Sequence, residues 1–287
     1  MPLHSNEWKI AKEMEGETIY QFTLNESNAS CDIPISLRRF GFLNFGWMPY
    51  GLPYQGNGTI VRDKLRDFLG ANKLIGLLTY SFNTIPENEL ARKYGLSIGL
   101  KRFSTYILRF NDETTSNIIN YFNATTKKHI RRAFDSGFQI TPMQQKDIKH
   151  FYQSYLELCN KNQFSPICTE RFLLNLFRLC EKSSERGLKF FGLKSERNGE
   201  THGYLIGLSS GGYFFEFIRA NTNISDHKGY DRKLLTYRMI TCAQEKGDSY
   251  YDFGGINPKS GPGIMEFKRG FGGTLYKSQP MKIISRF

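Results

Sequence analysis

The order of helical and strand-like segments in this sequence predicts an α+β protein, built from mostly antiparallel mixed sheets flanked by helices. Two amphipathic helical segments precede three consecutive strand-like segments, and a further helical segment leads into a short apolar strand. These segments are residues 146–162, 169–185, 188–194, 202–209, 212–218, 230–246 and 249–253. Consecutive strands favour antiparallel pairing, because short turns can join them directly.

The first third of the chain has weaker patterns. Residues 37–58 are rich in glycine, proline and aromatic side chains, which predicts a packed loop. Apolar residues at helical spacing predict a helix over residues 62–71, and the apolar run that follows predicts a strand over 73–80. Weak alternation predicts another strand over 100–110.

Turn and capping residues mark the boundaries of the later elements. Asn198-Gly199 and Gly211-Gly212 predict tight hairpin turns, and Gly254-Gly255 predicts a turn after the strand at 249–253. The final strands are expected within 274–285. This order matches the GNAT acyltransferase fold, in which the strand before and the helix after a central splay form the acyl-donor cleft.

A short, strongly basic helix is predicted before the main run of elements. Thr125 or Thr126 is placed to cap its start and Gly137 to end it. The cations Lys127, Lys128, Arg131 and Arg132 form two like-charge pairs at four-residue spacing, whereas Ile130, Ala133 and Phe134 define the opposite, buried face. Bound phosphates would relieve the repulsion and release counterions, which favours RNA. A solvated surface is the alternative.

Composition limits the classes of function. The 287 residues carry a formal net charge of +12, which favours an anionic partner such as nucleic acid, a nucleotide-linked substrate or anionic lipid, or else serves solubility alone. The chain has no apolar run near the roughly 20 residues of a spanning helix, and its five cysteines are scattered. A cytoplasmic protein with reduced thiols is therefore expected. The five histidines have no metal-ligand spacing, so no metal site is predicted.

The C-terminal motif resembles that of the FemABX-like transferases. It consists of YYDFGGIN at residues 250–257 and GPGIMEFKRGFGG at 261–273. The basic segment KKHIRRAFDSG at 127–137 is similar to the segment at the junction of that family's two domains, and PYGLPY at 49–54 is a weaker match to a first-domain loop. The resemblance covers the chain from about residue 37 to its end.

The resemblance implies tandem GNAT domains and transfer of an amino acid from aminoacyl-tRNA to an amine. On this basis residues 1–140 are predicted to be a degenerate GNAT-like domain on the acceptor side, and residues 141–287 the acyltransferase domain with the donor site. Similar motifs occur in shorter acyltransferases, whose donor is acyl-CoA or aminoacyl-tRNA. An acyl-CoA-dependent N-acyltransferase is therefore the first alternative, and a non-catalytic basic RNA-binding module is the second.

Lys268 is the strongest catalytic candidate. It lies with Phe267 and Arg269 in a glycine-rich segment that reads as a bend, where backbone can approach a ligand closely. A lysine there can bind a phosphate or stabilise the oxyanion that forms when an amine attacks an ester, and the resemblance places this lysine at the transfer site. Asp252 is the acid within the motif. It is either a base for the attacking ammonium or a structural acceptor for turn amides.

Further donor and acceptor contacts are expected elsewhere. Lys228, Gly229 and Tyr230 precede a long helix, where backbone amides at the N-terminus would meet donor phosphates. The usual acetyl-CoA loop has a Gln or Arg and two glycines, so this segment favours a different donor. Candidates for acceptor binding are Trp47, Tyr50, Tyr54 and Arg219, for which core packing or solvation is the alternative. The expected acceptor is a peptide or small-molecule amine, and direct aminolysis needs no cofactor besides the aminoacyl-tRNA or acyl-CoA co-substrate.

Overall fold

The computed structural model describes residues 2–26, 29–48, 58–79, 95–97, 104–110, 117–185, 187–222, 229–256, 262–278 and 282–285. Its contacts divide the chain into two compact units. The first unit consists of Leu3–Thr105, Gly255–Ser260 and Leu275–Phe287. The second consists of Met1–Pro2, Tyr106–Gly254 and Gly261–Thr274.

The first unit is a mixed sheet with two described helices. Its elements are α1 (Asn6–Met14), β1 (Ile19–Glu26), β2 (Ala29–Phe40), β3 (Leu43–Met48), α2 (Gly58–Ala71), β4 (Gly76–Thr79), β5 (Gly95–Ser97) and the strand that we label β13 (Lys282–Ser285). The strand order is β1-β2-β3-β4-β13-β5. The neighbours β3 and β4 are parallel, whereas β1 to β3 pair antiparallel and β13 pairs antiparallel with both β4 and β5.

The core of the first unit lies between its sheet and α2. Leu65 and Leu69 of α2 are fully buried against Ile33, Ile35 and other apolar side chains of the strands. In β3, a side chain at Gly46 would bring its Cβ within 2.7 Å of Ile35 Cγ2, so this core needs a glycine there. Burying these side chains is the main source of the unit's stability.

The second sheet is larger and is built from elements between residues 104 and 277. They are β6 (Ser104–Arg109), α3 (Ala124–Asp135), β7 (Gln139–Pro142), α4 (Asp147–Asn162), α5 (Glu170–Glu181), β8 (Lys189–Arg197), β9 (Glu200–Ser210), β10 (Tyr213–Asn221), α6 (Tyr230–Glu245), β11 (Tyr250–Ile256), α7 (Pro262–Arg269) and β12 (Thr274–Lys277). A turn of 3-10 helix, Ile118–Tyr121, precedes α3. The strand order is β12-β6-β11-β10-β9-β8-β7. The predicted α+β class with mixed sheets and flanking helices is confirmed.

The strands β10 and β11 separate partway along their length. They pair in parallel where Tyr213–Phe215 lies beside Tyr250–Asp252, and both strands then continue without further pairing to each other. The register of β10 on β9 also shifts between Glu216 and Ile218, which marks a β-bulge. Beyond Asp252 the sheet therefore opens between two neighbouring strands.

Several local predictions are confirmed. Asn198, Gly199, Gly211 and Gly212 all have positive φ, between 54° and 79°, as two-residue hairpins of type I′ require. The basic helix forms as α3, and Gly137 follows its end with φ +78°. The helix is capped by Asn123 and not by Thr125 or Thr126 as predicted. Asn123 Oδ1 accepts a hydrogen bond of 2.8 Å from the Thr126 amide.

Three predictions of local structure are wrong. Part of the segment predicted as a loop, residues 37–48, forms the end of β2 and all of β3, joined by a turn at Gly41-Phe42. The glycines of the predicted turn at 254–255 lie inside β11. Phe267, Lys268 and Arg269 end the helix α7 instead of lying in a bend. In the first two cases a glycine lies inside a strand, where Gly46 allows a close approach and Gly254 a positive φ.

The division into units differs from the boundary predicted after residue 140. The contacts change unit between Thr105 and Tyr106, and Leu275–Phe287 returns to the first unit. The reason is β13, which pairs with β4 and β5 across about two hundred residues of sequence. No helix among the described residues is long and apolar enough to cross a membrane.

Candidate active site

A buried lysine lies where β10 and β11 separate. Lys268, in the last turn of α7, is only 9% exposed, and its Nζ donates a hydrogen bond of 2.7 Å to the Gly254 carbonyl oxygen in β11. Gly254 has φ +74°, and a Cβ there would lie 2.7 Å from the Glu216 carbonyl oxygen of β10. A glycine is therefore needed for β11 to present its carbonyl to the lysine at this point.

Two buried carboxylates belong to the same region. Glu216 of β10 accepts hydrogen bonds from the Tyr251 hydroxyl at 2.8 Å and from Arg219 Nη2 at 2.9 Å. Asp252 of β11 is fully buried and accepts from the Tyr213 hydroxyl at 2.6 Å and from the Gly254 amide at 2.9 Å. Buried charges need such partners, because an isolated ion is costly to remove from water.

The charge of Lys268 is set by opposing effects. Burial lowers the pKa of Lys268, the carboxylates of Glu216 and Asp252 oppose that shift, and Arg219 adds to it. Burial, with the nearby Glu216 carboxylate, raises the pKa of Tyr251 well above its usual value, so its hydroxyl stays a neutral donor. The arrangement is an amine held beside two carboxylates in a poorly hydrated part of the sheet.

Asp252 is placed as a structural acceptor. Both of its oxygens accept hydrogen bonds from the protein, and its side chain is closed to solvent. An attacking ammonium would have to displace Tyr213 or Gly254 to reach it. Of the two interpretations of Asp252, the geometry favours the structural acceptor, because Asp252 fixes the strand backbone at Gly254 and through it the carbonyl that holds Lys268.

Arg219 is engaged by its own chain. Its guanidinium reaches Glu216, Thr236 Oγ1 at 2.5 Å and the Arg232 carbonyl oxygen at 3.3 Å, and it lies 5.0 Å from the ring centroid of Phe267. With the side chain 18% exposed, Arg219 joins β10 to α6 and α7. A role in acceptor binding stays a prediction.

Lys233, in the first turn of α6, is a residue that the sequence did not single out. Its Nζ donates to Thr126 Oγ1 at 2.9 Å and lies 4.9 Å from the ring centroid of Phe267 and 5.3 Å from that of Phe271. No ion pair found among the described residues includes Lys233. Burial, together with the nearby Arg219, lowers the pKa of Lys233 to about 8. A half-buried cation with aromatic neighbours is suited to an anionic ligand.

The pKa of Lys233 predicts a measurable pH dependence of stability. Between about pH 8 and 10.5 the unfolded chain keeps a proton that folded Lys233 has released, so the free energy of unfolding should rise with pH in this window. Urea unfolding at several pH values should show this rise in the wild type and lose it in Lys233→Met. The same pH dependence in both proteins would contradict the assignment.

The basic helix α3 packs beside α6. Lys128, Arg131 and Arg132 are exposed, whereas Lys127 is half-buried and donates to the Asn120 carbonyl oxygen at 3.1 Å. Arg132 Nη1 donates to the Tyr230 hydroxyl at 2.7 Å, at the start of α6. None of the four cations forms an ion pair among the described residues.

The other side of α3 is buried only in part. Ile130 and Ala133 are buried as predicted, but Phe134 is 57% exposed, so its predicted burial is wrong. His129 packs on Tyr230, with 4.8 Å between ring centroids. Burial lowers the pKa of His129, and Lys233, Arg132 and Lys128 lower it further, so this histidine is neutral at pH 7.

The N-terminus of α6 is the segment predicted to meet donor phosphates. Gly229 begins the helix with φ +66° and no side-chain cap, and Tyr230 is held by Arg132. A Cβ at Gly229 would lie 2.6 Å from Arg232 Nη2, so the arginine lies directly over this glycine. Lys228, predicted to bind the donor with them, lies outside the described residues.

The remaining predicted residues are not all brought together. Phe267 is half-buried between Arg219 and Lys233, and Arg269 is exposed at the end of α7. Trp47 is half-buried in β3 of the first unit, and Tyr50 and Tyr54 lie outside the described residues. The cluster that the structure assembles in the second unit is therefore Lys268, Glu216, Arg219, Lys233 and Phe267.

Similar solved structures identify the fold. The structure of FemX is 11% identical, with a TM-score of 0.81 over 99% of this chain and 92% of that chain. The C-terminal domain of a putative lysylphosphatidylglycerol synthetase from Agrobacterium fabrum is 9% identical, with a TM-score of 0.61 over 98% and 88%. A tandem GNAT protein from the clavulanic acid biosynthesis pathway is 8% identical, with a TM-score of 0.57 over 100% and 90%.

These similarities are structural. No protein-family profile matches the chain, and no curated protein sequence matches it. At such low identities the likeness shows the fold alone. The chain has the predicted tandem GNAT-like fold, and the resemblance of its C-terminal motif to the FemABX-like transferases is confirmed at the level of the fold.

Proposed function

We propose that this protein is an acyltransferase that forms an amide by moving an aminoacyl group from aminoacyl-tRNA to an amine. The observation that carries the proposal is Lys268, a buried amine fixed by Gly254 at the opening between β10 and β11. A buried lysine beside carboxylates, on a fold that FemX shares, matches the role that the motif implies.

The chemistry is a direct aminolysis. The acceptor nitrogen attacks the ester carbonyl carbon, the new C–N bond forms as the C–O bond to the ribose breaks, and a proton passes from the nitrogen to the ribose oxygen. Lys268 stabilises the oxyanion that develops on the carbonyl oxygen, and a fixed donor of this kind contributes roughly 3 kcal/mol. Glu216 and Asp252 oppose the lowering of the Lys268 pKa by burial, and Asp252 fixes the Gly254 backbone that holds the lysine.

The charges around the site support an RNA donor. Lys128, Arg131 and Arg132 are exposed on α3, and Lys233 lies farther in, between α3 and α7. These cations can neutralise successive phosphates at the acceptor end of a tRNA. The similar structure from Agrobacterium fabrum belongs to a putative lysylphosphatidylglycerol synthetase, and lysylphosphatidylglycerol carries an aminoacyl group.

Acyl-CoA is the second candidate donor. The observation that favours it is the uncapped N-terminus of α6 at Gly229, because backbone amides and the helix dipole there suit a pyrophosphate. The structure of the similar tandem GNAT protein is described as being without AcCoA, so AcCoA is the ligand named for that protein. A basic RNA-binding module without chemistry is the third candidate.

The deciding experiment supplies each donor in turn. The protein is incubated with a pool of radiolabelled aminoacyl-tRNAs, or with labelled acetyl-CoA, and with a panel of amine acceptors, and amide products are counted. Product from the tRNA pool that ribonuclease abolishes supports the proposal. Product from acetyl-CoA that resists ribonuclease supports the second candidate. RNA binding without product from either donor supports the third.

We also expect CoA to leave thermal stability unchanged. If the donor is aminoacyl-tRNA, millimolar CoA should not shift the melting temperature. A CoA site with a dissociation constant one hundredth of the CoA concentration would stabilise the fold by about 2.7 kcal/mol. A clear upward shift with CoA, and none with adenosine at equal concentration, would overturn the choice of tRNA.

A further inference from the structure

The β2–β3 hairpin of the first unit ends in an exposed aromatic tip. Phe42 is 93% exposed and Phe40 is 58% exposed, whereas most large apolar side chains of this unit are buried. Phe40 pairs with Leu43 across the turn and its ring lies 5.8 Å from that of Phe45. Neighbouring apolar side chains that stay in water at one end of a hairpin mark a contact surface.

The turn does not require a phenylalanine. Gly41 has φ +61° and Phe42 has a negative φ, which is the pattern of a two-residue type II′ turn. Such a turn needs glycine at its first position and accepts small polar residues at its second. Placing Phe42 there neither fills the core nor serves the turn, so its side chain needs another explanation.

Positive charge lies directly behind the aromatic tip. Arg39 is exposed, one residue pair behind Phe40, and forms no ion pair among the described residues. Arg38, one pair farther back, is 44% exposed and lies 3.6 Å from Glu17. Residues 33–48 contain no Asp or Glu. With a rise of about 3.4 Å per residue, the Cα atoms of Arg39 and Arg38 stand roughly 3 and 7 Å behind that of Phe40.

The geometry points to docking of this hairpin tip on an anionic lipid surface. Phe40 and Phe42 enter the boundary between headgroups and acyl chains, and Arg38 and Arg39 meet the lipid phosphates. Aromatic rings with cations at this depth suit an interface that is apolar within and anionic outside. Lipid adapts to the shape of an exposed tip, so this contact needs no concave surface on the partner. Base stacking on RNA instead favours aromatic side chains on an open sheet face.

The test is co-sedimentation with vesicles of mixed phosphatidylglycerol and phosphatidylcholine, and with vesicles of phosphatidylcholine alone. Wild type should bind the anionic vesicles, and Phe42→Asn, which the turn accepts, should bind them about tenfold or more weakly. Arg39→Gln should weaken binding about fivefold on the anionic vesicles and leave the neutral ones unaffected. Ile167→Asn is the matched control, because it removes a 56% exposed apolar side chain from a loop of the second unit.

Two further readouts make the test decisive. Phe42→Trp should shift its fluorescence emission to shorter wavelength when anionic vesicles are added, as the ring leaves water. Each variant is used only after its far-ultraviolet spectrum and melting curve match the wild type. Equal vesicle binding by wild type and Phe42→Asn, or no binding by wild type, overturns the proposal. Loss of tRNA binding or of self-association in Phe42→Asn, with vesicle binding intact, overturns it in favour of that other partner.

Discussion

Replacing Lys268 by methionine should lower the rate of transfer by about 10²-fold or more, the effect expected when one fixed oxyanion donor is lost. Methionine keeps the length and apolar stem of the side chain but removes the ammonium. The Gly254 carbonyl then loses its hydrogen bond, which costs roughly 1 to 3 kcal/mol of stability. Part of that cost is offset because no charge has to be buried. Single-turnover rates with a labelled donor, measured beside a melting curve, separate the two effects.

Lys189→Met is the matched control for this variant. Lys189 is half-buried in β8 and its Nζ donates to the Ser183 carbonyl oxygen at 3.1 Å, so the substitution also removes a lysine-to-carbonyl hydrogen bond. It should reduce stability without changing the rate of transfer. A folded Lys268→Met protein with near wild-type rates would assign Lys268 a structural role. Equal losses of rate in both variants would show that destabilisation alone explains the effect.

The helices and hairpins around this site could be predicted because their signals are local. Period-3.6 patterns identify α4 to α6, and Asn-Gly or Gly-Gly pairs identify the hairpin turns. Lys268 could be named as a candidate because it lies in a recognisable motif. Its burial could not, since the glycines around it suggested a bend and concealed the end of α7.

Two other residues of the site show what sequence patterns leave out. Burial alternates along β10, and Glu216 occupies one of its buried positions. A charged residue at a position expected to be apolar could have indicated the site. Lys233 gave no such signal, because a lysine in the first turn of a helix is usually solvated. Its neighbours Thr126 and Phe267 come from helices far away in sequence, and only the fold brings them together.

Long-range pairing limited the prediction of the fold. The strand β13 completes the first sheet from the far end of the chain, and no local pattern indicates that partner. The hairpin of β2 and β3 was hidden for a different reason. Its glycines and aromatic residues are typical of loops, although the two strands pair in regular register from Ser36 with Trp47 to Phe40 with Leu43.

Removing two exposed cations from α3 should weaken tRNA binding by on the order of 10²-fold at about 50 mM salt. The variant Lys128→Gln with Arg131→Gln takes one member from each like-charge pair and leaves the bond between Arg132 and Tyr230 in place. Each lost phosphate contact lowers the slope of log affinity against log salt by roughly 0.7 to 0.9, so two lost contacts flatten it by about 1.4 to 1.8. Stability should hold or rise by a few tenths of a kcal/mol, because repulsion at four-residue spacing is relieved.

The control must remove the same net charge elsewhere on the protein. Lys146→Gln with Lys149→Gln does so at the start of α4, where both side chains are exposed. If α3 binds the donor, this control keeps nearly the wild-type salt slope while the α3 variant loses more than one unit of slope. If both double variants flatten the slope equally, binding follows the net charge of the whole protein. The exposed cations of α3 would then have no specific part in holding RNA, and the choice of aminoacyl-tRNA as donor would rest on the fold and on Lys268 alone.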